Sequence, residues 1–534
     1  MAISLTRRGF VAVPVMMAVL LSHQATGQTA GDDGSRQVPL YGTLGLHTRT
    51  VSTVSDSAQA YFNQGMQFMY AFGTGAATRS FREAQRYDPG CAMCYYGEAW
   101  SLSPYLNGRM SLQAEREAYR AILAAGNVSP NATDVERGLI GAMSVRFAEN
   151  PTAETRRELD SLYSNAMADM VDEFPEDLDA ATLYAESLML LRPRRGSVDL
   201  EDPLVQGILA VLEGVLVRDL HHPGACHLYI HLVEASPDPG RAEQCADHLG
   251  DAIPGASHIR HMPSHIYVNI GRYSDAVRAN QNAWHVDQQA EYGGPPGIYP
   301  SHNLHMLLFA ATLDGQSAVA IQAAKDLAVV NPGWAFYHPL VLATFGRWSE
   351  ILQLQGTYED ALQEGMWRYA RGMAHLRTGD DDAARTNLWL LHSIIERLPD
   401  SLTFRFHRQN TLLSIPAGIL EGEILAAAGD YERAIDVLER TVLLEDGLVY
   451  DEPEPWHHPV RHVLGAVLLE AGQFSDAERV YREALEDNAH TGWALFGLEQ
   501  ALRSLGKDQD ADWARSEYER RWDRRDIWLR SSRF

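Results

Sequence analysis

The chain predicts an all-α fold, a solenoid of antiparallel helix pairs in one elongated array, and three observations predict it. Small residues recur in pairs around a bulky one at a spacing of about 34 residues, a proline closes several of the intervals, and no stretch sustains the period-2 alternation of a strand. With 534 residues the chain is long for one globular core, whereas a stacked array gains core with every repeat. The formal charge of −25 argues against nucleic acid as a partner and against docking on an anionic membrane.

Taken in order, residues 1–30 read as an export signal. Thr6-Arg7-Arg8-Gly9-Phe10-Val11 has the twin-arginine pattern, an apolar stretch follows to Leu21, and small polar residues lead to Ala30. The apolar stretch is too short for a spanning helix, so a cleaved signal is expected, of twin-arginine type or, as the alternative, of Sec type. The mature protein is then periplasmic or secreted, with no transmembrane segment. Residues 31–56, rich in Gly, Ser and Thr, are expected to be an irregular lead-in.

Residues 57–534 carry the repeats. Gly65, Ala77, Phe81, Ala84 and Pro89 stand where a tetratricopeptide (TPR) unit needs small, small, bulky, small and helix-stopping residues. Gly465, Ala477, Tyr481 and Ala484 repeat the pattern near the other end, and Trp493-Ala494-Leu495-Phe496-Gly497 opens one more unit. The segments around Leu178–Leu191 and Tyr369–Leu388 match less well. A capping helix is expected over about 508–530, with Trp522 and Trp528. Cys91/Cys94 and Cys226/Cys245 read equally as disulfides or as pairs of buried thiols.

The chemistry concentrates in repeats 222–306. In the 34-residue register His227, His231 and Glu234 fall at positions 5, 9 and 12, His258, His261 and His265 at 2, 5 and 9, and His302 and His305 at 2 and 5. These are first-helix positions lining the concave groove. Residues four apart share a helix face, so His227/His231 and His261/His265 can each chelate, and neighbouring first helices lie roughly 8–10 Å apart. His222, before Pro223, can cap or ligate. Glu234 and Glu186, the latter at position 9 of its own unit, are candidates for acid/base or ligand roles. Imidazoles with a carboxylate suit a transition metal ion, copper, zinc or iron among them. A ten-residue insertion including Gly293-Gly294-Pro295-Pro296-Gly297 could lid the groove or swing His302 away. His462, beside Trp456-His457-His458, could mark the far end of the groove. Other enzyme signatures (HExxH, a phosphate loop, a dinucleotide fingerprint, GxSxG) are absent.

The phrases Asp88-Pro89-Gly90-Cys91-Ala92-Met93, His222-Pro223-Gly224-Ala225, His261-Met262-Pro263-Ser264-His265-Ile266-Tyr267, Ser301-His302-Asn303 and Gly492-Trp493-Ala494-Leu495-Phe496-Gly497-Leu498 resemble a family of exported bacterial TPR-repeat proteins with a histidine-rich core. The likeness spans nearly the whole mature chain and implies the fold, not a reaction. The chain departs from the family at Tyr96, where Trp is usual, near Pro193–Gly196, where aromatic residues are usual, and at His457-His458, where Tyr-Tyr is usual.

Two functions follow as expectations. One is an exported metal-binding protein, with catalysis by a metal-dependent oxidoreductase or hydrolase mechanism open, taking a small molecule or peptide in its groove. The other is a periplasmic scaffold clasping a peptide or partner protein without catalysis.

Overall fold

Helices begin where the sequence supplies a cap. The computed structural model describes residues 38–149, 152–193, 196–356 and 360–534. Ser55 accepts from the Ala58 amide at the start of helix Asp56–Tyr70, and Asp177 from the Ala180 amide at the start of Leu178–Leu190. His222 caps Pro223–Val233 through Nδ1, and Pro223 takes the first helical position, where a missing N–H leaves nothing unsatisfied. The signal-peptide expectation for 1–30 lies outside the described residues.

Consecutive helices pair across short links, which makes them antiparallel neighbours. Asp56–Tyr70 packs on Thr74–Tyr87, Pro300–Leu313 on Ser317–Val330, and Val460–Glu470 on Phe474–Asp487. The weakly matching segments do the same: Ala361–Arg377 packs on Asp381–Arg397, and Leu178–Leu190 on Ala153–Glu173. The fold is a TPR-like α-solenoid over Leu40–Phe534. Among the described residues, strand occurs only as the two-residue hairpin Thr403–Phe404 with His407–Arg408.

The repeat pattern has a visible physical cause. Phe81 is fully buried between two helices that present glycine to its ring. A Cβ added at Gly65 or Gly97 would lie 2.6 or 2.4 Å from that ring. Tyr481 sits between Gly465 and Gly497 in the same way, at 2.4 and 2.1 Å. Bulky and small positions alternate because one large side chain must fill the space between three helices.

The central repeats use other means. Pro263 has no N–H to give, and the first helix of that repeat is divided into Ser257–His261 and Pro263–Asn269. A disulfide, Cys226–Cys245, ties helix Pro223–Val233 to helix Glu243–Ala252, and Cys91–Cys94 is a second disulfide. The two cysteine pairs are therefore bridged, not free.

Both ends of the described array fold onto its middle. The lead-in is irregular but docked: Leu44 and Val51 are buried, Gln67 Nε2 donates to the His47 carbonyl at 2.8 Å, and Ser52 N donates to Glu136 at 2.7 Å. The capping helix is Asp508–Arg521, shorter than the expected 508–530. It stops because Trp522 turns inward, fully buried, its indole N–H donating to the Leu313 carbonyl at 2.7 Å. Asp526 then accepts from the Ser317 and Ala318 amides at the start of helix Ser317–Val330.

Candidate metal centre

Six imidazoles from the central repeats converge. Ligand atoms of His227, His231 and His258 lie within 4.8 Å of one another, and so do those of His261, His265 and His302. The two trios adjoin, with ring centroids 5.7 Å apart for His231 and His265 and 5.6 Å for His258 and His261.

The tautomers follow from the acceptors around the rings. His227 Nδ1 lies 2.6 Å from the Tyr70 carbonyl, which can only accept, so Nδ1 carries the proton and Nε2 the lone pair. His231 Nδ1 donates to Glu234 Oε1 at 2.8 Å. His261 Nδ1 donates to Asn280 Oδ1 at 2.6 Å, and the amide is oriented because its Nδ2 donates to the Ala276 carbonyl. His265 Nδ1 faces Glu234 Oε2 in a short contact and Glu452 Oε2 at 2.9 Å. In four of the six rings, then, Nδ1 is spent on an orienting acceptor, which is how proteins aim Nε2 at a metal. Among the described residues, His227 Nε2 and both nitrogens of His258 have no hydrogen-bond partner although each residue is 1 % exposed.

Burial sets the protonation. Desolvation, then repulsion from neighbouring imidazoles, holds His227, His258, His261 and His302 well below the usual histidine range, so these rings are neutral, the form that ligates. His265 goes the other way. Burial opposes its charge, but the carboxylates of Glu234 and Glu452 push it up to about 10. Its Nε2 proton is then shared with His261 Nε2, 2.7 Å away. A proton sits where a cation would join the same two nitrogens.

The walls are strained backbone. Among the described residues four non-glycine residues have positive φ, and three surround the cluster: Phe72 (59°), Tyr299 (57°) and Arg405 (54°). Phe72 lies 4.2 Å from the His227 ring, Tyr299 4.9 Å from His258, and the Arg405 charge acts on His302 and His305. Such conformations cost on the order of 1–3 kcal/mol each, so packing here is over-determined.

Three sequence candidates fall elsewhere. His305 is fully buried but lies against Tyr337 and Trp334, with ring centroids 4.4 and 5.1 Å away. His222 spends Nδ1 on its helix cap and Nε2 on Asp179 at 3.2 Å, within a separate His47–Asp179–His222 group. Burial would raise Asp179, but its bonds to His222 and His47 and the charge of Arg49 hold it well below the usual carboxylate range. Glu186 bonds Trp100 and faces Arg146, and burial pushes it up to about 7. The insertion does not swing His302 away. Asp287 accepts from Ile298 N and Asn303 Nδ2 and ties both ends of that loop, leaving His302 4.5 Å from His261.

Glu452 was invisible in the sequence. It arrives from the loop after helix Tyr431–Asp446, more than 200 residues beyond His231, and groups with His231 and Glu234. Phe72 and Asn280 had no signal either, being an ordinary aromatic and an ordinary helix amide. Beside Glu234, Glu452 and His265 opens a cavity of about 650 Å³, lined also by Tyr450, Glu445, Glu454, Trp456 and Arg461.

No protein-family model matches the chain, and no curated protein matches it in sequence. Among solved structures the chain is similar to the Cut9–Hcn1 hetero-tetramer of APC/C (12 % identity, 90 % of this chain and 79 % of that chain, TM-score 0.30). It is similar also to the TPR domain of P58(IPK) (10 %, 85 % and 99 %, TM-score 0.21) and to yeast Tom70 (12 %, 87 % and 90 %, TM-score 0.27). With scores this low, the TPR-like architecture rests on the chain's own helix pairs.

Proposed function

We propose that this chain is an exported TPR-like protein that binds transition metal at the two adjoining imidazole trios. The observation that carries the reading is the convergence of three imidazole ligand atoms within 4.8 Å in each trio, with buried nitrogens of His227 and His258 that have no hydrogen-bond partner among the described residues. Leaving a buried polar atom without a partner costs about 1–3 kcal/mol, and a metal ion removes that cost. Two three-imidazole groups suit zinc, copper or iron. His227, His231 and His258 would hold one ion, and His261, His265 and His302 a second. Both carboxylate oxygens of Glu234 are occupied by imidazoles, so its role is to orient His231 and His265. Glu452, half-buried where the cavity meets the imidazole cluster, is the residue placed to take or give a proton to a bound molecule. A bound metal would supply Lewis acidity or redox chemistry, which places hydrolysis or oxidation among the activities to assay.

Elemental analysis of protein purified after native export tests this. The expected result is a stoichiometric transition metal that is lost in His231→Ala/His265→Ala. Protein that is metal-free and equally stable with and without chelator would sink the reading. It would leave the second one, a scaffold that clasps a peptide or partner protein, for which the open 650 Å³ cavity is the supporting observation.

A further inference from the structure

Outer helix faces of this acidic chain neutralise their carboxylates locally. Arg479 pairs with Glu483 at 2.9 Å, Arg482 with Glu478 at 3.0 Å, and Arg515 with Glu519 at 2.8 Å, each one helical turn away. The cavity beside the imidazole cluster is built differently. Eight of its lining residues are Asp or Glu, against a single arginine. That arginine, Arg461, is already committed to Asp446 at 2.6 Å and Asp487 at 3.2 Å. Asp451 is held by Arg405, and Glu234 by two histidines. Glu452 faces His265 and Glu486 is exposed; Glu445 and Glu454, both half-buried, remain without a cation among the described residues. Glu445 Oε2 accepts from Val460 N at 3.0 Å, while its Oε1 is buried with no partner. Glu454 makes neither a hydrogen bond nor an ion pair among the described residues.

A second feature of the same cavity points to a ligand. Trp456, 2 % exposed, lines it, and its indole N–H has no acceptor among the described residues. Buried indole N–H groups ordinarily find one. Phe309 and Tyr450 add aromatic wall. The volume, about 650 Å³, is that of an organic molecule, not of a single ion.

We propose that this cavity binds an organic ammonium compound that also carries a hydrogen-bond acceptor, its cationic nitrogen between Glu445 and Glu454, its acceptor on the Trp456 N–H and its body against the aromatic wall. Ammonium groups favour such a setting twice, through the carboxylates and through the aromatic faces. The inner end of the cavity is Glu234, Glu452 and His265, so a molecule seated there reaches the imidazole cluster. The proposal rests on the metal-centre reading for what happens to the ligand, and it names that site's substrate class as amines.

Calorimetric titration of the mature chain, zinc-loaded and again after chelation, distinguishes the two readings. The probes are tyramine and 4-ethylphenol, which differ by the ammonium group, with magnesium ion as competitor. Tyramine is expected to bind at least tenfold more tightly than 4-ethylphenol in both preparations. Glu445→Gln/Glu454→Gln is expected to abolish that preference while zinc stoichiometry stays unchanged. Should the double variant misfold, Glu454→Gln alone, at a half-buried side chain, must reduce the preference severalfold. Equal binding of the two probes overturns the proposal. So does a tyramine preference that appears only with zinc and vanishes in His231→Ala/His265→Ala, since the amine would then be a ligand of the metal. Displacement of tyramine by equimolar magnesium also overturns it, because the acids would then be a general cation sink. A metal-free protein that still prefers tyramine supports the pocket and sinks the metal centre.

Discussion

His261 and His265 stand four residues apart, as do His458 and His462, and both pairs are buried. Their ring centroids are 4.7 and 5.1 Å apart, so local spacing hardly distinguishes them. The surroundings do. Asn280 fixes the His261 tautomer, Glu234 and Glu452 fix His265, and His302 arrives from a third helix. His458 meets Trp493 edge to face at 5.2 Å, and the His462 carbonyl accepts from Ser532. No carboxylate is bonded to either ring among the described residues, and both stay neutral through burial. An i,i+4 histidine pair becomes a ligand set only when other elements aim its nitrogens and bring a third donor.

The sharpest way to break this contrast is metal content. His458→Ala/His462→Ala is expected to keep the full metal complement that His231→Ala/His265→Ala loses, and elemental analysis of both reads the difference directly. Loss of metal from both variants would place the C-terminal pair among the metal ligands as well.

The two regions also differ in what joins their helices. Val460–Glu470 and Phe474–Asp487 close around Tyr481, whereas Pro223–Val233 carries the imidazoles of His227 and His231 and is joined to Glu243–Ala252 by Cys226–Cys245. A bridge spanning 19 residues restricts the unfolded chain by about 3 kcal/mol. Cys226→Ser/Cys245→Ser should therefore lower stability by about that much in denaturant titration of chelated protein. An unchanged midpoint would show that packing alone holds the central pair.

Glu186 offers a pH test away from the cluster. Its folded pKa of about 7 lies above the unfolded value near 4.5, so below about pH 4.5 both states are protonated and the group contributes nothing. Between about 4.5 and 7 the folded state binds more protons than the unfolded one. Stability therefore falls as pH rises through that window, and above it the penalty is constant, on the order of 3 kcal/mol. Glu186→Gln should remove the slope, so that variant and wild type diverge in the variant's favour as pH rises. Parallel profiles of melting temperature against pH would contradict this.

The smallest expected effect is on the orienting carboxylate. Glu234→Gln keeps the shape but loses the charge that holds His231 and His265, and metal affinity should fall by roughly 10–100-fold in chelator competition. No change would return the work of aiming those rings to Glu452 alone.

Much of the fold was legible because its cause is local and periodic. Gly65, Phe81, Gly465 and Tyr481 state the packing rule in one dimension, and the 34-residue spacing repeats it. Five of the six clustered imidazoles, His227, His231, His258, His261 and His265, kept register within two adjacent repeats, and His302 rejoined them across the insertion. Register failed at His305, whose ring lies against Tyr337 and Trp334, and at Glu186, whose position 9 faces Arg146 and not the histidines. Nothing periodic marks Glu452, Asn280, Phe72 or Tyr299. They reach the cluster through a loop, a second helix and two strained turns.

By itself the sequence determined the helix pairs, the small-and-bulky packing and a common face for the central histidines, since each depends on residues within one or two repeats. Tertiary structure alone decided which imidazoles meet, which nitrogen each presents, and that carboxylates from a distant loop wall the neighbouring cavity. Those are relations between elements far apart in the chain, set by how the repeats stack and by what folds back onto them, and no spacing along the chain encodes them.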